Sequence, residues 1–330
     1  MRTTAPIQTF EQIKCLADSR RLGILRLLMA EPATLTNIGA LLGRSPAWVQ
    51  HHLRALESAG LVELAEVRAN GRVTEKLYQA KAAAFVLQEL ILPKSEKPVL
   101  LVSGSHDLAL EQLSADLAPQ LEVIAQPVGS LDGLANLRLG LCQVSGAHLL
   151  DADGDYNAPT VRRLFPDRPA HMVTLAYRHQ GLMLSAGNPK AIHSLADLIG
   201  SGVTFLNRNP GSGTRLWLER ESARTGLPVG LIPGYEHFVY THTDAARAVA
   251  EGRADVTLGL EAAARRHGLD FIPLFVERYD LVFQGEMSPG LEMLLNALVS
   301  NAFRREMQSL PGYETAHTGE QIPLQELGRI

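Results

Sequence analysis

Asn207 to Arg215 reads N-R-N-P-G-S-G-T-R, between an apolar, strand-like run, Val203 to Leu206, and a helix-like run from Leu216 onward. A Gly-Ser-Gly-Thr turn that opens a helix leaves several backbone N–H groups without intrahelical partners and sets two hydroxyls beside them. Such a turn offers a pocket to an anion. An ordinary capped loop would explain the stretch equally well. A second loop shifts the balance: Ser103-Gly104-Ser105-His106-Asp107 follows the apolar run Val99 to Val102 and precedes a helical run. Two strand, Ser/Gly, helix units facing each other would hold a ligand between two helix N-termini.

A chain of 330 residues suits two or three domains better than one. Hydrophobic residues at 46% and charged residues at 20% describe a globular chain rather than a disordered one. Up to Lys97 there are 13 Lys or Arg against 9 Asp or Glu, a surplus of +4; the remainder carries 18 against 26, or -8. A basic small head on an acidic large body suits a head that binds a polyanion. Cys15 and Cys142 lie far apart without metal-like spacing, which argues against a disulfide scaffold and a zinc site, and no cofactor is expected. Met1 to Cys15 has no apolar signal region, and no run approaches the roughly 18 apolar residues of a membrane helix. The expectation is a cytoplasmic protein without a membrane partner.

The head reads as helices. Phe10 to Ala30 carries apolar residues at helical spacing, interrupted by Asp18-Ser19-Arg20, as two helices with a capped break. Thr36 to Leu42 is a short helix ended by Gly43, and Ser45-Pro46 caps and opens another. Val49, Leu53 and Leu56 form its buried stripe, with Ala47, Gln50, His51 and Arg54 opposite. After Gly60 come Leu61 to Leu64, then Arg68-Ala69-Asn70-Gly71-Arg72, then Val73 to Tyr78. Asn-Gly between such runs signals a hairpin, here flanked by arginines. Lys81 to Leu92 has the spacing of a further amphipathic helix, suited to dimerisation, and Pro93 to Pro98 is a short polar linker.

The order resembles the ArsR-type winged helix of bacterial regulators over Thr9 to Gln79, carried by L-A-D-S-R-R-L-G-I-L-R-L-L, S-P-A-W-V-Q-H-H-L-R-A-L and A-G-L-V. The resemblance implies that the helix from Ser45 to Ala59 enters the major groove of double-stranded DNA. It assigns Ser45, Ala47, Gln50, His51 and Arg54 to the contact, and Arg68 and Arg72 to the wing. Some relatives sense metals, but His51 and His52 point in different directions on a helix and no cysteine cluster accompanies them. Trp48 is expected to pack in the core or at a dimer contact. Winged helices that read two half-sites imply a homodimer.

From Val99 the chain alternates as an α/β fold, short apolar strands spaced by single helices, implying parallel pairing. Strands are expected at His171 to Ala176, Leu182 to Ser185 and Phe271 to Leu274, after which the chain returns through Arg278 to Phe283 into one C-terminal helix from Leu291 to Gln308. S-G-A-H-L-L-D-A-D-G-D-Y-N (Ser145 to Asn157), R-H-Q-G-L-M-L-S-A-G-N-P-K (Arg178 to Lys190), the opening stretch and G-R-A-D-V-T-L-G (Gly252 to Gly259) together resemble the periplasmic-binding-protein-like domain. That domain is found fused to DNA-binding heads or to molybdenum-cofactor biosynthesis proteins. The resemblance covers nearly all of Pro98 to Phe283. It implies an α/β fold in which a winged helix-turn-helix domain (1–92) and a linker (93–98) precede a two-lobed type II binding domain (99–330). Relatives of that fold hold molybdate or tungstate by backbone N–H groups and hydroxyls. Carried onto this chain, the ligand contacts are Ser103, Ser105 and Ser130 from one lobe and Ser212, Gly213 and Thr214 from the other. Arg178 and Gln180 fall near the crossover, Arg208 or Arg215 adds positive charge, Tyr279 closes the cleft, and His106 and Asp107 orient the first loop.

Asp151-Ala-Asp153-Gly-Asp155 begins like a calcium loop, but Tyr156 and Arg162 stand where a glycine and a bidentate acid belong, so a turn is expected. Gly211-Ser212-Gly213 lacks the nucleophile-elbow pattern, and no lysine precedes Thr214 as a phosphate loop requires. The sequence therefore predicts a non-enzymatic, one-component transcriptional regulator that senses a small anion, molybdate or tungstate first. The alternatives are a regulator sensing a small organic acid or other metabolite and a molybdenum-cofactor-related enzyme or insertion protein.

Overall fold

The computed structural model describes residues 4–7, 9–70, 73–87, 91–151, 153–199 and 202–324. The chain falls into two compact units, Met1–Ile91 and Leu92–Ile330. Among the described residues no helix is long and apolar enough to cross a membrane.

The first unit begins with β1 (Thr4–Ile7), α1 (Phe10–Leu16) and α2 (Ser19–Ala30). Asp18 breaks the two helices apart because its side chain accepts the Arg20 N–H and caps α2. After β2 (Ala33–Thr34), α3 (Leu35–Leu42) ends on Gly43 in the left-handed region. In α4 (Pro46–Ser58) Ser45 is the cap and Pro46 opens the first turn. Its stripe of Val49, His52, Leu53 and Leu56 is buried against Ile24, Leu25 and Leu28 of α2 and Ile38 of α3. Each such aliphatic side chain contributes about 1.5–3 kcal/mol on leaving water. β3 (Val62–Asn70) and β4 (Val73–Ala80) form the antiparallel wing with β2 on β4. Gly71 and Arg72 at its tip lie outside the described residues.

The helix expected over Lys81 to Leu92 is replaced by a strand, β5 (Ala84–Leu87), which pairs in parallel with β1. Residues 88–90 of that expected helix lie outside the described residues. The helical spacing there is overridden because the β1 edge satisfies the backbone of the β-prone run Ala84-Phe85-Val86-Leu87. Leu87, on the supposed apolar stripe, is exposed.

The second unit opens with β6 (Val99–Gly104), α5 (Leu108–Leu117), β7 (Glu122–Pro127), α6 (Ser130–Arg138), β8 (Val144–Ala147) and α7 (Ala158–Leu164). It continues through β9 (Ala170–Leu184), β10 (Phe205–Arg208), α8 (Gly213–Thr225), β11 (Phe238–Val239), α9 (His242–Ala250), β12 (Val256–Leu260) and α10 (Glu261–Arg266). It ends with β13 (Asp270–Gln284), α11 (Pro289–Leu298), α12 (Asn301–Gln308) and β14 (Tyr313–Glu314). The strands form one sheet in the order β11-β10-β12-β9-β13-β8-β6-β7, with β14 on β9.

Two expectations are corrected here. The four short runs His171 to Ala176, Leu182 to Ser185, Phe271 to Leu274 and Arg278 to Phe283 are the halves of two 15-residue strands, β9 and β13, which pair antiparallel along their length. The polar residues between the halves, Tyr177 to Gln180 and Glu277, read as loops in sequence. They remain in strand because the ladder satisfies their backbone while buried partners satisfy most of their side chains. The single C-terminal helix is two, parted where the Ser300 side chain caps α12.

The long strands make the two lobes. The C-terminal half of β13 carries β8, β6 and β7, and the C-terminal half of β9 carries β12, β10 and β11. One core gathers Leu100, Val102, Val144, Leu175, Leu281 and Leu294; another gathers Leu182, Leu184, Phe205, Leu218, Val256 and Leu258. The lobes are joined at the middle of β9 and β13. Arg178, Gln180, Glu277 and Tyr279 all sit there, each pair on one face of its strand by period-two alternation.

Candidate ligand cleft and nucleic-acid interface

In the first unit, Ala47, Gln50, His51 and Arg54 all stand exposed on α4. The Ser45 hydroxyl is used in the fold, accepting from the Trp48 N–H at 3.3 Å. Exposed Arg68 on the wing pairs with Glu66 at 2.8 Å. Trp48 packs against the core and meets His52 edge-on at 4.4 Å, with the Arg44 guanidinium 5.5 Å from its ring. His52 is buried and His51 exposed, so the two do not share a face. Burial pushes the His52 pKa down.

In the second unit the first cleft loop turns on Gly104, whose φ is +126° and whose Cβ, were it present, would lie 2.3 Å from the Gly146 carbonyl oxygen. This turn breaks strand alternation. Ser103 and Ser105 therefore part company. The Ser103 hydroxyl donates to Gln126 Oε1 and accepts from Asn136 Nδ2, so the structure removes Ser103 from the cleft cluster that the sequence assigned it to. Ser105 goes into the cluster: its Oγ lies 3.1 Å from Ser130 Oγ and 2.8 Å from His148 Nε2. Ser130, at the start of α6, accepts the His148 N–H at 3.2 Å. His148 Nδ1 lies 2.6 Å from Glu277 Oε2.

Beneath these groups Arg178 is fully buried between two carboxylates, Asp107 at 2.7 Å and Glu277, with its guanidinium 4.1 Å from the Tyr279 ring centroid. Asp107 also caps α5 through the Leu110 N–H and accepts from Tyr313 Oη at 2.6 Å. Burial pushes the Glu277 carboxyl up, but Arg178 and His148 outweigh it and hold the pKa at about 2. Burial likewise opposes the charge of Arg178, and Glu277 and Asp107 more than offset it, so its pKa is raised. Tyr279 donates its hydroxyl to the Ser105 carbonyl and is wholly buried. It is a support of the first loop, and the expectation that it closes the cleft is corrected.

The opposite lobe presents α8, where the Ser212 side chain caps the helix by accepting from the Arg215 N–H at 3.3 Å. Gly213 lies so close to His148 that an added Cβ would sit 2.4 Å from both its Nδ1 and its carbonyl oxygen, so glycine is required. Thr214 donates to Gln180 Oε1 at 3.0 Å. Among the described residues Arg208 is buried with only neutral acceptors: His242 Nδ1 at 2.7 Å, the Tyr240 carbonyl at 2.6 Å and the Val239 carbonyl at 3.4 Å. Burial, then the charge of Arg178, lowers its pKa to about 9. Because arginine only donates, His242 Nδ1 accepts and the ring hydrogen sits on Nε2. That Nε2 and Arg178 Nε are buried donors without a hydrogen-bond partner among the described residues. Arg215, the other candidate charge, is spent on Glu219 and Glu236.

The lobes touch across the cleft. Asn209 Nδ2 donates to the Val128 carbonyl at 2.7 Å, and the His242 N–H donates to His106 Nδ1 at 3.3 Å. The structure thus brings together Ser105, Ser130, Arg178, Gln180, Gly213, Thr214 and Tyr279, with Ser212 capping the helix that presents them, and leaves Ser103 outside. Sequence reasoning did not single out His148 or Glu277. His148 lies inside the quoted S-G-A-H run, and Glu277 stands two residues before Tyr279 on the same strand face, which is the signal that was available. Ser105, His148 and Glu277 stand in the order of a serine, histidine, acid relay, with the Ser105–His148 link hydrogen-bonded and the His148–Glu277 contact close but outside hydrogen-bond alignment. In the acidic turn, Asp151 accepts from the Asp153 and Asp155 N–H groups, as a turn requires. A separate hollow of about 1040 Å³, lined by Phe165, His171, Phe283 and Leu298, lies away from these groups.

Comparison with known proteins gives two family matches. The family described as PBP superfamily domain matches residues 111–298, more than half of the chain, and the family described as bacterial regulatory protein, arsR family, matches residues 18–63. The uncharacterized protein YvgK of Bacillus subtilis is 33% identical over 263 residues, covering 79% of this chain and 84% of that one. Among solved structures, a phosphate-bound substrate-binding protein from Clostridium perfringens is similar with a TM-score of 0.48 at 12% identity, over 67% of this chain and 98% of that one. A tungstate ABC transporter structure from Geobacter sulfurreducens has a TM-score of 0.43 at 16% identity, over 62% of this chain and 95% of that one.

Proposed function

We propose, from the premise that the chain belongs to the PBP superfamily domain family and carries an arsR-family head, that it is a cytoplasmic one-component transcriptional regulator. In this reading α4 and the wing bind double-stranded DNA as a homodimer, and the cleft senses a small anion. Molybdate or tungstate comes first, by the loop resemblance, and a small organic acid is the alternative. The ligand shifts the balance of open and closed lobes about the middle of β9 and β13, and the two states differ in affinity for the operator.

One observation carries the anion reading. Arg208 is buried within the field of Arg178 and, among the described residues, has neutral acceptors alone; a desolvated cation in that position gains most from a bound negative charge. The exposed row Gln50, His51 and Arg54 supports the DNA reading. A thermal-shift screen against molybdate, tungstate, sulfate, phosphate and small carboxylates tests it, since a ligand of the folded state raises Tm. A rise with an oxyanion supports the reading; a rise with a carboxylate alone moves it to an organic acid; no rise with any of them counts against it.

The Ser105, His148 and Glu277 chain favours a second reading, an acyl hydrolase. Against it, the Ser105 oxygen is also engaged by Ser130, and the cluster is buried between touching lobes. The two readings separate on p-nitrophenyl acetate: a hydrolase turns it over and loses that turnover in Ser105→Ala, whereas the regulator gives no Ser105-dependent turnover.

A further inference from the structure

The hydrogens of the serine and histidine cluster can be placed by elimination. Glu277 is ion-paired with Arg178 and ionised, and His148 Nδ1 stands 2.6 Å from its Oε2 outside hydrogen-bond alignment; a hydrogen on Nδ1 is what keeps two lone pairs from facing each other at that distance. In a neutral imidazole Nε2 is then an acceptor, and it takes the Ser105 hydroxyl hydrogen at 2.8 Å. Ser105 has no second hydrogen, so its 3.1 Å contact with Ser130 uses the Ser130 hydrogen. The Ser130 oxygen accepts in turn from the His148 N–H. Both hydroxyl hydrogens are consumed inside the cluster, and each serine offers a ligand only lone pairs.

A fully ionised oxyanion has only acceptors and cannot dock on lone pairs. Protonating His148 reverses the chain: Nε2–H donates to Ser105, and at least one serine hydrogen is released toward the cleft. We propose that His148 is a positioning residue that couples oxyanion binding to the uptake of one proton, so that a doubly charged oxyanion binds Ser105 and Ser130 with His148 as imidazolium. The proposal rests on the anion reading of the cleft.

The groups around His148 set the balance. Glu277 faces it from β13 and favours the imidazolium; Arg178 from β9 and Arg208 from β10 oppose it. Tyr279 stacks on it at 6.0 Å, His242 of α9 shares its electrostatic neighbourhood, and Gly213 of α8 closes against its ring. Burial, opposed by Glu277, keeps the empty site neutral, and a bound dianion supplies the negative charge that the two arginines otherwise outweigh.

The test is calorimetric titration of the full chain with molybdate at about pH 7.5 in two buffers of different ionisation enthalpy, whose difference in heat counts protons. The expected result is uptake of about one proton per molybdate, with affinity falling about tenfold per pH unit above neutrality. In His148→Gln the uptake falls to near zero and the pH profile flattens while molybdate still binds. Should His148→Gln fail to fold, Ser105→Ala, which cuts the link between anion and ring, carries the same expectation of lost uptake. Wild-type binding without uptake overturns the proposal and leaves the anion reading standing. Undiminished uptake in the folded variants assigns the proton elsewhere and overturns it as well. No binding of molybdate, tungstate or sulfate overturns the proposal together with the oxyanion reading.

Discussion

Arg208 Nη1 donates to His242 Nδ1 across 2.7 Å, so a buried arginine is held by a neutral imidazole instead of a carboxylate. The pair is costly in the empty protein and becomes useful when an anion arrives.

Replacing the cation separates those two effects. Arg208→Met removes a charge whose pKa burial has already lowered to about 9, so the unligated protein is expected to melt higher. A gain of about 1 kcal/mol would appear as roughly 2–4 °C in a chain of this size class. Molybdate affinity is expected to fall at least about tenfold, a hydrogen bond to a charged group being worth about 1.5–3 kcal/mol. Unchanged affinity in isothermal titration would remove Arg208 from the site.

The buried histidines make a pH prediction of definite sign. Burial lowers His148, and burial with the charges of Arg208 and Arg178 lowers His242 further. Both groups then bind a proton more readily in the unfolded chain, so their contribution to stability is full above the ordinary histidine pKa of about 6.5 and is lost as pH falls through the folded values. Unligated Tm should drop between about pH 7.5 and 5.5, and His242→Gln should drop less. Equal drops would assign the acid sensitivity to other groups.

Ser103 and Ser105 provide a paired control. Ser105→Ala should lower oxyanion affinity by about tenfold or more, whereas Ser103→Ala should leave it within twofold, because the Ser103 hydroxyl is committed to Gln126 and Asn136. Ser212→Ala should act through the helix, costing about 1 kcal/mol of stability as a lost cap. Equal loss of binding in the Ser103 and Ser105 variants would show that the loop acts as one unit.

On the DNA side, Arg54→Ala should weaken operator binding and flatten its salt dependence by about one unit of slope if the contact is to phosphate. Molybdate affinity should not change. Comparable losses of both, measured by fluorescence anisotropy and calorimetry, would contradict a division of labour between the two units.

The head was legible wherever a local signal sufficed. Asp18, Gly43, Ser45 and Pro46 mark helix ends by capping chemistry that depends on neighbours within four residues, and all four act as read. Lys81 to Leu92 misled because its apolar spacing suits a helix, while β1, some eighty residues earlier, supplied an edge for a strand. In the second unit the loops of Ser105 and Ser212 were visible as Ser/Gly turns before helices. Ser103 was misplaced because the backbone turn at Gly104 changes which face a side chain meets.

By itself, then, the sequence determined the capped helix ends of the head, the two Ser/Gly turns and the helix that presents Gln50, His51 and Arg54, all of which follow from chemistry between residues close along the chain. Only the tertiary structure decided that four short runs are two long strands, that Glu277 and His148 stand behind Ser105, and that Arg208 has an imidazole for a partner. Those are contacts between residues 34 to 129 positions apart. Their pairing is set by the register of β9 on β13 and by which buried charges remain to be matched once the lobes close, and neither is encoded in any local pattern.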